Sequence, residues 1–293
     1  MTVEELNQMR RDVKKKMIIG IGIPLLILFF GGVFLGRIIG TIIGIVLLII
    51  GGIYAMKSRN EYAKKYKDMF VLSSFNEVFD DIDYKPFAGL PREIIANTKM
   101  IQMGDRYSSN DYLEATYKGI RFMQADVHIE DESTDSDGDS HYVTLFKGRW
   151  MVFDFNKEFK ANVQVVEKGF HNAKRKRFFG KKDDLYKKVE MEDVAFNEGF
   201  KVFAQNEHEA FYILTPAMMD RIRRVSGGIK GKVMFCFVDD MLHVAVHNSK
   251  DSFEPSIMKE LDIEQAKNDV LGDVKLVTDF VDELNLDTKL FKG

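Results

Sequence analysis

The longest apolar stretch of the chain runs from Met17 to Met56, and Arg37 is its only charged side chain. One helix covering these forty residues would be about 60 Å long, roughly twice the hydrocarbon thickness of a bilayer. Two helices of about 19 residues, 17–35 and 38–56, would each span about 28 Å and leave Arg37 at the turn. The pattern therefore predicts a transmembrane helical hairpin. A signal peptide fits less well, because its apolar region is shorter.

Glycines recur at every fourth position in this stretch, at Gly32, Gly36, Gly40 and Gly44. This spacing lines one helix face with backbone and permits close helix packing. Because the predicted turn interrupts the series, only Gly40 and Gly44 are expected to share a helix. We interpret them as the face that packs the two spans together. Association of two copies of the chain through the same face, a homo-oligomer, is the alternative.

Basic residues flank the predicted hairpin on both sides, whereas the turn has one. The flanking residues are Arg10, Arg11, Lys14, Lys15, Lys16, Lys57, Arg59, Lys64, Lys65 and Lys67. Basic flanks resist translocation, so we expect both flanks and both termini in the cytoplasm. The single cysteine, Cys236, excludes an intramolecular disulfide and fits a reducing compartment.

Four segments follow from this pattern. They are a basic N-terminus at 1–16, the hairpin at 17–56, a linking helix at 57–82 and a cytoplasmic domain at 83–293. Alternating runs in the last segment are typical of antiparallel strands. Two of these runs contain a Lys-Gly dipeptide that we interpret as a turn, Lys118-Gly119 and Lys147-Gly148, and a third turn is predicted at Asp239-Asp240.

Helical signals are interspersed with the strands. A short helix is expected to start near Pro91, because proline suits the first helical turn. Another helix is expected to end at Gly227-Gly228. Apolar residues at steps of three and four from Ile263 to Leu284 predict a long C-terminal helix. The predicted fold is α+β with a curled antiparallel sheet, and a small pleckstrin-homology-like barrel is the alternative, because strand counting does not fix strand order.

Charge is distributed unevenly along the chain, although the net charge is only −3. Residues 1–67 contain 11 basic and 4 acidic side chains, and the rest contains 31 basic and 41 acidic ones. Within that acidic remainder, residues 168–188 hold nine basic side chains and two acidic ones. This basic loop includes two adjacent phenylalanines.

We interpret the basic loop as a contact with anionic lipid. Each Lys or Arg near a negatively charged leaflet gains about 1 kcal/mol, and aromatic rings insert at the interface. The predicted contact residues are Lys174, Arg175, Lys176, Arg177, Phe178, Phe179, Lys181 and Lys182. A solvated loop is the competing interpretation. Nucleic acid is disfavoured, because the acidic remainder of the domain would repel phosphate.

Motifs for metal, cofactor or catalysis fail on spacing. A calcium loop in the acidic segment Asp131–His141, aligned on Gly138 as its sixth residue, would have Ser133 as the first ligand and Thr144 in place of the bidentate glutamate. A hairpin loop is favoured there, and a weak cation site stays open. His243 and His247 lie on a predicted strand, about 13 Å apart, too far to share one zinc ion. Cys236 is predicted to be a buried core thiol.

Several phrases of the chain occur together in one known family. They are "VTLFKGRWMVFDFNKEFKANVQVV", "VEMEDVAFNEGFKVFAQNEHEAFYILTPAMMDRI" and "VMFCFVDDMLHVAV". In this order they resemble an uncharacterised bacterial membrane protein family, domain of unknown function 3137, some members of which carry a galanin-like label. The resemblance implies a bacterial inner (plasma) membrane protein and a membrane-anchored LemA-type protein as a partner. It brings no catalytic residues and no cofactor.

Two function classes remain. We expect a membrane-anchored binding or scaffold module whose basic loop contacts lipid. An enzyme is less favoured, because no group of residues has the spacing of a known acid–base or metal site. A membrane-associated enzyme is the alternative. The ligand and the pathway do not follow from the residues.

Overall fold

The computed structural model describes residues 2–34, 37–135, 137–155, 159–170 and 185–286. The chain forms two compact units. The first, which we call the helical unit, contains the residues up to Ser74 together with Phe253–Leu271. The second, the sheet unit, contains Phe75–Ser252 and the residues from Gly272 onward. The segment boundaries predicted from the sequence stay predictions.

Helices make up most of the helical unit. α1 (Val3–Met17) continues through a π-helical turn, Ile18–Gly22, into α2 (Ile23–Phe34). α3 (Arg37–Tyr66) continues through a second π-helical turn, Lys67–Val71, into α4 (Leu72–Val78). The predicted linking helix is therefore helical as far as Val78 and follows the apolar helix without a break. Thr2 and Glu5 form a capping box that satisfies the first amides of α1.

A segment from late in the sequence packs on α1 and α3, and we call residues 253–262 the strap. Arg10 donates a hydrogen bond to the carbonyl of Ile257 at 3.3 Å. The amide of Leu261 donates to Oδ1 of Asn7, also at 3.3 Å. Lys67 is fully buried, and its Nζ lies 2.7 Å from Oε1 of Glu254. Polar contacts between residues that are distant in sequence thus hold the strap in place.

Within the described residues, the sheet unit contains nine strands. They are β1 (Asp80–Lys85), β2 (Arg106–Tyr117), β3 (Ile120–Thr134), β4 (Ser140–Asp154), β5 (Val163–Glu167), β6 (Lys187–Val189), β7 (Phe200–Ala204), β8 (Lys232–Val238) and β9 (Met241–His247). All neighbours pair antiparallel, in the order β1-β2-β3-β4-β9-β8-β5-β7-β6. The sheet is open, because β1 and β6 are its two edges. The predicted antiparallel sheet is confirmed. Among the described residues no strand pair joins β1 to β6, so the barrel alternative is wrong.

Helices accompany the sheet at the three predicted places, with one correction, and at residues 194–199, where none was predicted. They are α5 (Arg92–Thr98), α6 (Val194–Gly199), α7 (Glu207–Ile213), α8 (Pro216–Gly227) and α9 (Ile263–Leu284). The single helix predicted to end at Gly227 is two helices, because Pro216 begins a new one that Thr215 caps. The long C-terminal helix, α9, is confirmed.

Apolar side chains on both faces of the sheet are buried. On one face, Ile95 of α5 belongs to a core cluster with Trp150, Met234 and Cys236. On the other face, the ring of Phe280 in α9 lies 6.0 Å from that of Phe235. Because side chains alternate along a strand, β8 is apolar at consecutive positions, Val233–Val238, which fill both cores.

The two Lys-Gly dipeptides have different structures. Lys118 and Gly119 both have positive φ, 50° and 79°, and form the predicted tight turn between β2 and β3. Gly148, in contrast, lies within the continuous strand β4 at a φ of 152°. A Cβ at this position would collide with the carbonyl oxygen of Val246 on β9. The turn predicted at Lys147-Gly148 is therefore wrong, because this glycine permits close backbone approach instead of a reversal.

Candidate functional site

Exposed apolar side chains cover α2 and residues 38–56 of α3. In the part of the chain that the structure describes, one helical run, Ile38–Val78, is long and apolar enough to cross a membrane. Ile38 is 76% exposed and Ile53 is 67% exposed. On α2, Phe29 is 81% exposed. Contiguous apolar exposure of this extent is unusual on a soluble surface and marks a region that contacts lipid or a partner.

Glycines line the contact between α3 and the preceding helical stretch. A Cβ at Gly44 would lie 2.6 Å from Cγ of Leu28, and one at Gly20 would lie 2.7 Å from the carbonyl oxygen of Gly51. Gly40 is buried, as is Gly44. The two helix-packing glycines predicted from the sequence thus lie on the inner face of α3. Gly20 and Gly51, which the sequence argument did not single out, make the closest backbone approach.

The predicted lipid-contact residues lie outside the described residues. They are Lys174, Arg175, Lys176, Arg177, Phe178, Phe179, Lys181 and Lys182. Their contact with lipid stays a prediction.

A buried ion pair lies in the middle of the sheet unit. Arg149 of β4 is directly opposite Asp126 of β3, and Nε of Arg149 lies 3.1 Å from Oδ1 of Asp126. Both residues are almost completely buried, with 2% and 3% of their surface exposed. Arg149 also donates to Oε1 of Gln124 at 3.3 Å, and its Nη2 lies 3.8 Å from a carboxylate oxygen of Asp273 on α9. This pair thus connects the sheet with the C-terminal helix.

A β-bulge in β2 places a second buried carboxylate beside this pair. The register of β2 shifts between Asn110 and Leu113, and Asp111 within the bulge has a φ of 58°. Bulges re-aim side chains, and aspartate tolerates the left-handed conformation better than most residues do. The Asp111 carboxylate accepts hydrogen bonds from the Tyr84 hydroxyl at 2.5 Å and from Nδ2 of Asn110 at 2.8 Å.

The loop after β9 completes the group, which we call the charge cluster. Its members are Tyr84, Asp111, Gln124, Asp126, Arg149, Asp251 and Asp273. The amide of Ser252 donates to Oδ2 of Asp126 at 2.5 Å. Ligand oxygens of Asp111, Asp126 and Asp251 lie within 4.8 Å of one another, a spacing that a hard cation could bridge. Protein donors already bind all three carboxylates, however, so the arrangement serves to hold the Arg149 charge within the sheet.

Burial dominates the protonation equilibria in the charge cluster. Burial raises the pKa of Asp126, and Arg149 and the Ser252 amide oppose that rise. Burial also acts to lower the pKa of Arg149, but attraction by Asp126 and Asp273 outweighs it and leaves the pKa raised. Burial and the neighbouring Asp111 raise the pKa of Tyr84 far above its usual value, so its hydroxyl remains a neutral donor.

The two histidines of β9 each accept a hydrogen bond, one from a side chain and the other from a backbone amide. Nδ1 of His243 accepts a hydrogen bond from Nε1 of Trp150 at 3.2 Å. Nδ1 of His247 accepts from the amide of Lys147 at 3.1 Å. Burial lowers the pKa of His243 to about 4, so the ring is neutral near pH 7. His243 therefore supports the core tryptophan.

Cys236 and the acidic loop take structural positions. Cys236 is fully buried, as predicted, and burial raises the pKa of its thiol. Asp135 and Gly138 lie in the turn between β3 and β4. Oδ1 of Asp135 accepts the amides of Asp137 and Asp139 at 3.0 and 2.9 Å, which stabilises the turn. The favoured hairpin interpretation is confirmed.

The comparison with family models decides which known proteins this chain resembles. Residues 144–286 match the model of the DUF3137 family. The family is described as a protein of unknown function, and the match confirms the resemblance inferred from the sequence phrases. It begins after the apolar helices. Arg149 and His243 lie within the DUF3137 match, whereas Asp111 and Asp126 precede it.

Comparisons with other proteins add little. Comparison with the curated proteins gives no match. Among solved structures, the chain is similar to the crystal structure of the mycobacterial trehalose monomycolate transport factor A, TtfA. The identity is 10% and the TM-score is 0.39, and the likeness covers 76% of this chain and 94% of the other. A likeness at this level carries no argument about fold or function.

Sequence reasoning missed the charge cluster, although part of its signal was readable. Asp126 lies between Ala125 and Val127, and Arg149 directly precedes the apolar run Trp150–Phe153, so each is a charge next to residues that are expected to be buried. Asp111 gave no such signal, because only the bulge turns its carboxylate inward.

Proposed function

We propose that the protein is a membrane-anchored binding or scaffold module. In this proposal, helices at 17–35 and 38–56 form a transmembrane hairpin that tethers the sheet unit to the bacterial inner membrane. The observation that carries the proposal is the exposure of apolar side chains on α2 and α3 beside a buried glycine face. Close glycine packing supports a hairpin, because small residues let two helices approach within a bilayer.

Orientation follows from charge. The basic flanks of the hairpin favour a cytoplasmic location for both termini and for the sheet unit. The buried free thiol of Cys236 is consistent with a reducing compartment. In this arrangement the basic loop, residues 168–188, contacts anionic lipid of the same leaflet, with Phe178 and Phe179 as shallow anchors.

The proposed partner is another protein. The family resemblance favours a membrane-anchored LemA-type protein, and a second copy of this chain is the alternative. The open sheet supports a binding role, because an edge strand presents backbone donors and acceptors to a partner strand. Nucleic acid remains disfavoured by the acidic charge of the domain.

The binding role is preferred over an enzymatic one because of how the charge cluster is used. Asp126 accepts from Arg149 and from Ser252, and Asp111 accepts from Tyr84. Carboxylates bound in this way stabilise a core and have little capacity left for acid–base chemistry.

Cysteine labelling in intact cells tests the anchor and its orientation. Single cysteines are introduced at positions 5, 37 and 290 in a background with Cys236→Ala. We expect a membrane-impermeant maleimide to label position 37 from outside the cytoplasmic membrane and positions 5 and 290 only after permeabilisation. External labelling at position 290 would overturn the proposed orientation.

The lipid contact of the basic loop is tested separately in the full chain. An environment-sensitive dye at position 180 should shift its emission toward the blue in nanodiscs that contain phosphatidylglycerol and less in those with phosphatidylcholine alone. Exposed charges are screened within about 8 Å at physiological salt, so added salt should reverse the shift. Replacing Lys174, Arg175, Lys176 and Arg177 with glutamine should abolish it, and an unchanged shift would show that the loop is merely solvated.

A further inference from the structure

Two adjacent helical stretches of the helical unit lie side by side, and their exposed apolar surface ends at the same level along their length. Gly20 contacts Gly51, and Nζ of Lys16 donates to Oγ of Ser58 at 2.7 Å. The two stretches therefore run antiparallel, with residues 16–20 beside residues 51–58. On the apolar side of this level, Ile19 and Ile53 are exposed. On the other side the first exposed residues are the lysines Lys14, Lys15 and Lys57, and exposed polar and acidic residues such as Asn60 and Glu61 follow farther from this level.

Four lysines and one tyrosine surround this level, and we call them the collar. They are Lys14, Lys15, Lys16, Lys57 and Tyr54. Nζ of Lys16 lies 5.0 Å from the centre of the Tyr54 ring, and Tyr54 itself is more than half exposed. Lys14, Lys15 and Lys57 are exposed. Arg59 is excluded from the collar, because its guanidinium lies 3.5 Å from Glu254.

Such an arrangement matches the chemistry of one ligand class. Lysine ammonium groups attract phosphate oxygens, while a tyrosine ring beside them lies favourably at the boundary between hydrocarbon and headgroups. The adjacent isoleucines require an apolar neighbour. A phospholipid provides an acyl chain and an anionic headgroup within one molecule, whereas free phosphate provides the charge alone.

We propose that the collar binds the headgroups of anionic phospholipids in the leaflet next to the basic flanks of the proposed hairpin. This inference rests on the proposed hairpin anchor but not on the basic loop. The collar is the lipid contact for which the described residues provide geometry. It fixes the depth of the hairpin, since Lys16 and Lys57 stay at headgroup level while Ile19 and Ile53 lie below it.

The test uses the full chain in nanodiscs with about 30% phosphatidylglycerol in phosphatidylcholine, a composition that gives a negative surface. The background carries glutamine at positions 174–177, which removes the contribution of the basic loop. Native mass spectrometry then measures how many phosphatidylglycerol molecules remain bound relative to phosphatidylcholine. We expect a clear preference for phosphatidylglycerol.

Two matched variants identify the collar as its source. Lys15→Gln with Lys57→Gln should weaken the preference about 30-fold, since each lysine near the surface contributes about one kcal/mol. Lys64→Gln with Lys65→Gln removes the same charge from exposed positions two turns farther along α3 and should leave the preference nearly unchanged. Inorganic phosphate added in excess should not displace the lipid.

The outcomes distinguish a failure of the collar proposal from a failure of the proposed membrane anchor. A chain that inserts stably but shows equal retention of both lipids, or an equal loss in both double variants, refutes the collar and leaves the anchor standing. Displacement by inorganic phosphate also refutes it, because the site would then recognise an ion instead of a lipid. A chain that does not insert refutes the anchor and the collar together.

Discussion

Two apolar stretches of this chain, residues 38–53 of α3 and residues 233–246 of β8 and β9, have opposite exposures. Ile38 and Ile53 are largely exposed, whereas Val233, Phe235 and Val244 are completely buried. Both stretches are rich in apolar residues, but they differ in the length of the uninterrupted apolar run. In β8 this run lies between Lys232 and the turn at Asp239, and it is short enough for a strand with two covered faces. The uninterrupted run of α3 is long enough for a helix that lies in lipid.

A buried charge should distinguish these two environments most sharply. Val244→Lys places an unpaired ammonium at a fully buried position of β9 and should unfold the sheet unit, because an uncompensated buried charge costs more than most domains can tolerate. Trp150 is the only tryptophan and is fully buried, so its emission should shift to the red. Val143→Lys, at a position 41% exposed, is the control. Equal emission in the two variants would contradict the assigned core.

The charge cluster tests whether the sheet unit tolerates charge only in pairs. Arg149→Met leaves Asp126 buried without its partner and should lower the free energy of unfolding by about 3–5 kcal/mol. The double variant with Asp126→Asn should recover part of that loss. Urea unfolding of the full chain, followed by Trp150 emission, measures both. Arg121→Met, at an exposed ion pair with Glu114, should cost less than about 1 kcal/mol. A double variant no more stable than the single one would show that the two residues do not act as a pair.

Acid should destabilise the sheet unit through His243. Its pKa is lowered from 6.5 to about 4 on folding, so the unfolded chain binds more protons between these values. Stability is therefore complete above about pH 6.5 and falls as the pH is lowered, by on the order of 2 kcal/mol at about pH 5. His243→Asn keeps an acceptor for Trp150 and removes this titration. The free energy of unfolding should then fall less steeply as the pH is lowered. The remaining slope includes a contribution from His247, whose pKa is also lowered by burial.

Urea unfolding at about pH 7.5 and about pH 5 measures this slope from the emission of Trp150. His141→Asn, the same substitution at an exposed position, is the control. Identical slopes for the natural chain and His243→Asn would contradict the buried neutral imidazole.

The smallest expected effect concerns the glycine face of α3. A side chain at Gly51 would collide with the backbone of Gly20, whereas a side chain at Gly52 meets nothing within 4 Å. Gly51→Leu should thus weaken the helix pair by about 1–3 kcal/mol, and Gly52→Leu should not. A bifunctional maleimide that joins cysteines at positions 16 and 58, whose natural side chains form a hydrogen bond, reports the pairing in a background with Cys236→Ala. A crosslink formed between two chains instead of within one would favour the homo-oligomer.

Local signals in the sequence predicted the elements that depend on local rules. The apolar run of α3, the turn at Lys118-Gly119 and the periodicity of α9 were all readable. Gly148 was misread, because the neighbour that requires a glycine, Val246, is almost a hundred residues away. The strap and the charge cluster were missed for the same reason: their contacts join segments that are distant in sequence.

Cysteine accessibility along the hairpin in native membranes tests the central claim most directly. Single cysteines replace Ile45, Ile53 and Val143 in a background with Cys236→Ala, and all three positions are exposed in the structure. The proposal predicts that a water-soluble maleimide labels position 143 in opened membranes and leaves positions 45 and 53 unlabelled until detergent is added. Rapid labelling of positions 45 and 53 without detergent would show that these side chains face water or a solvated partner, and the membrane anchor would be wrong.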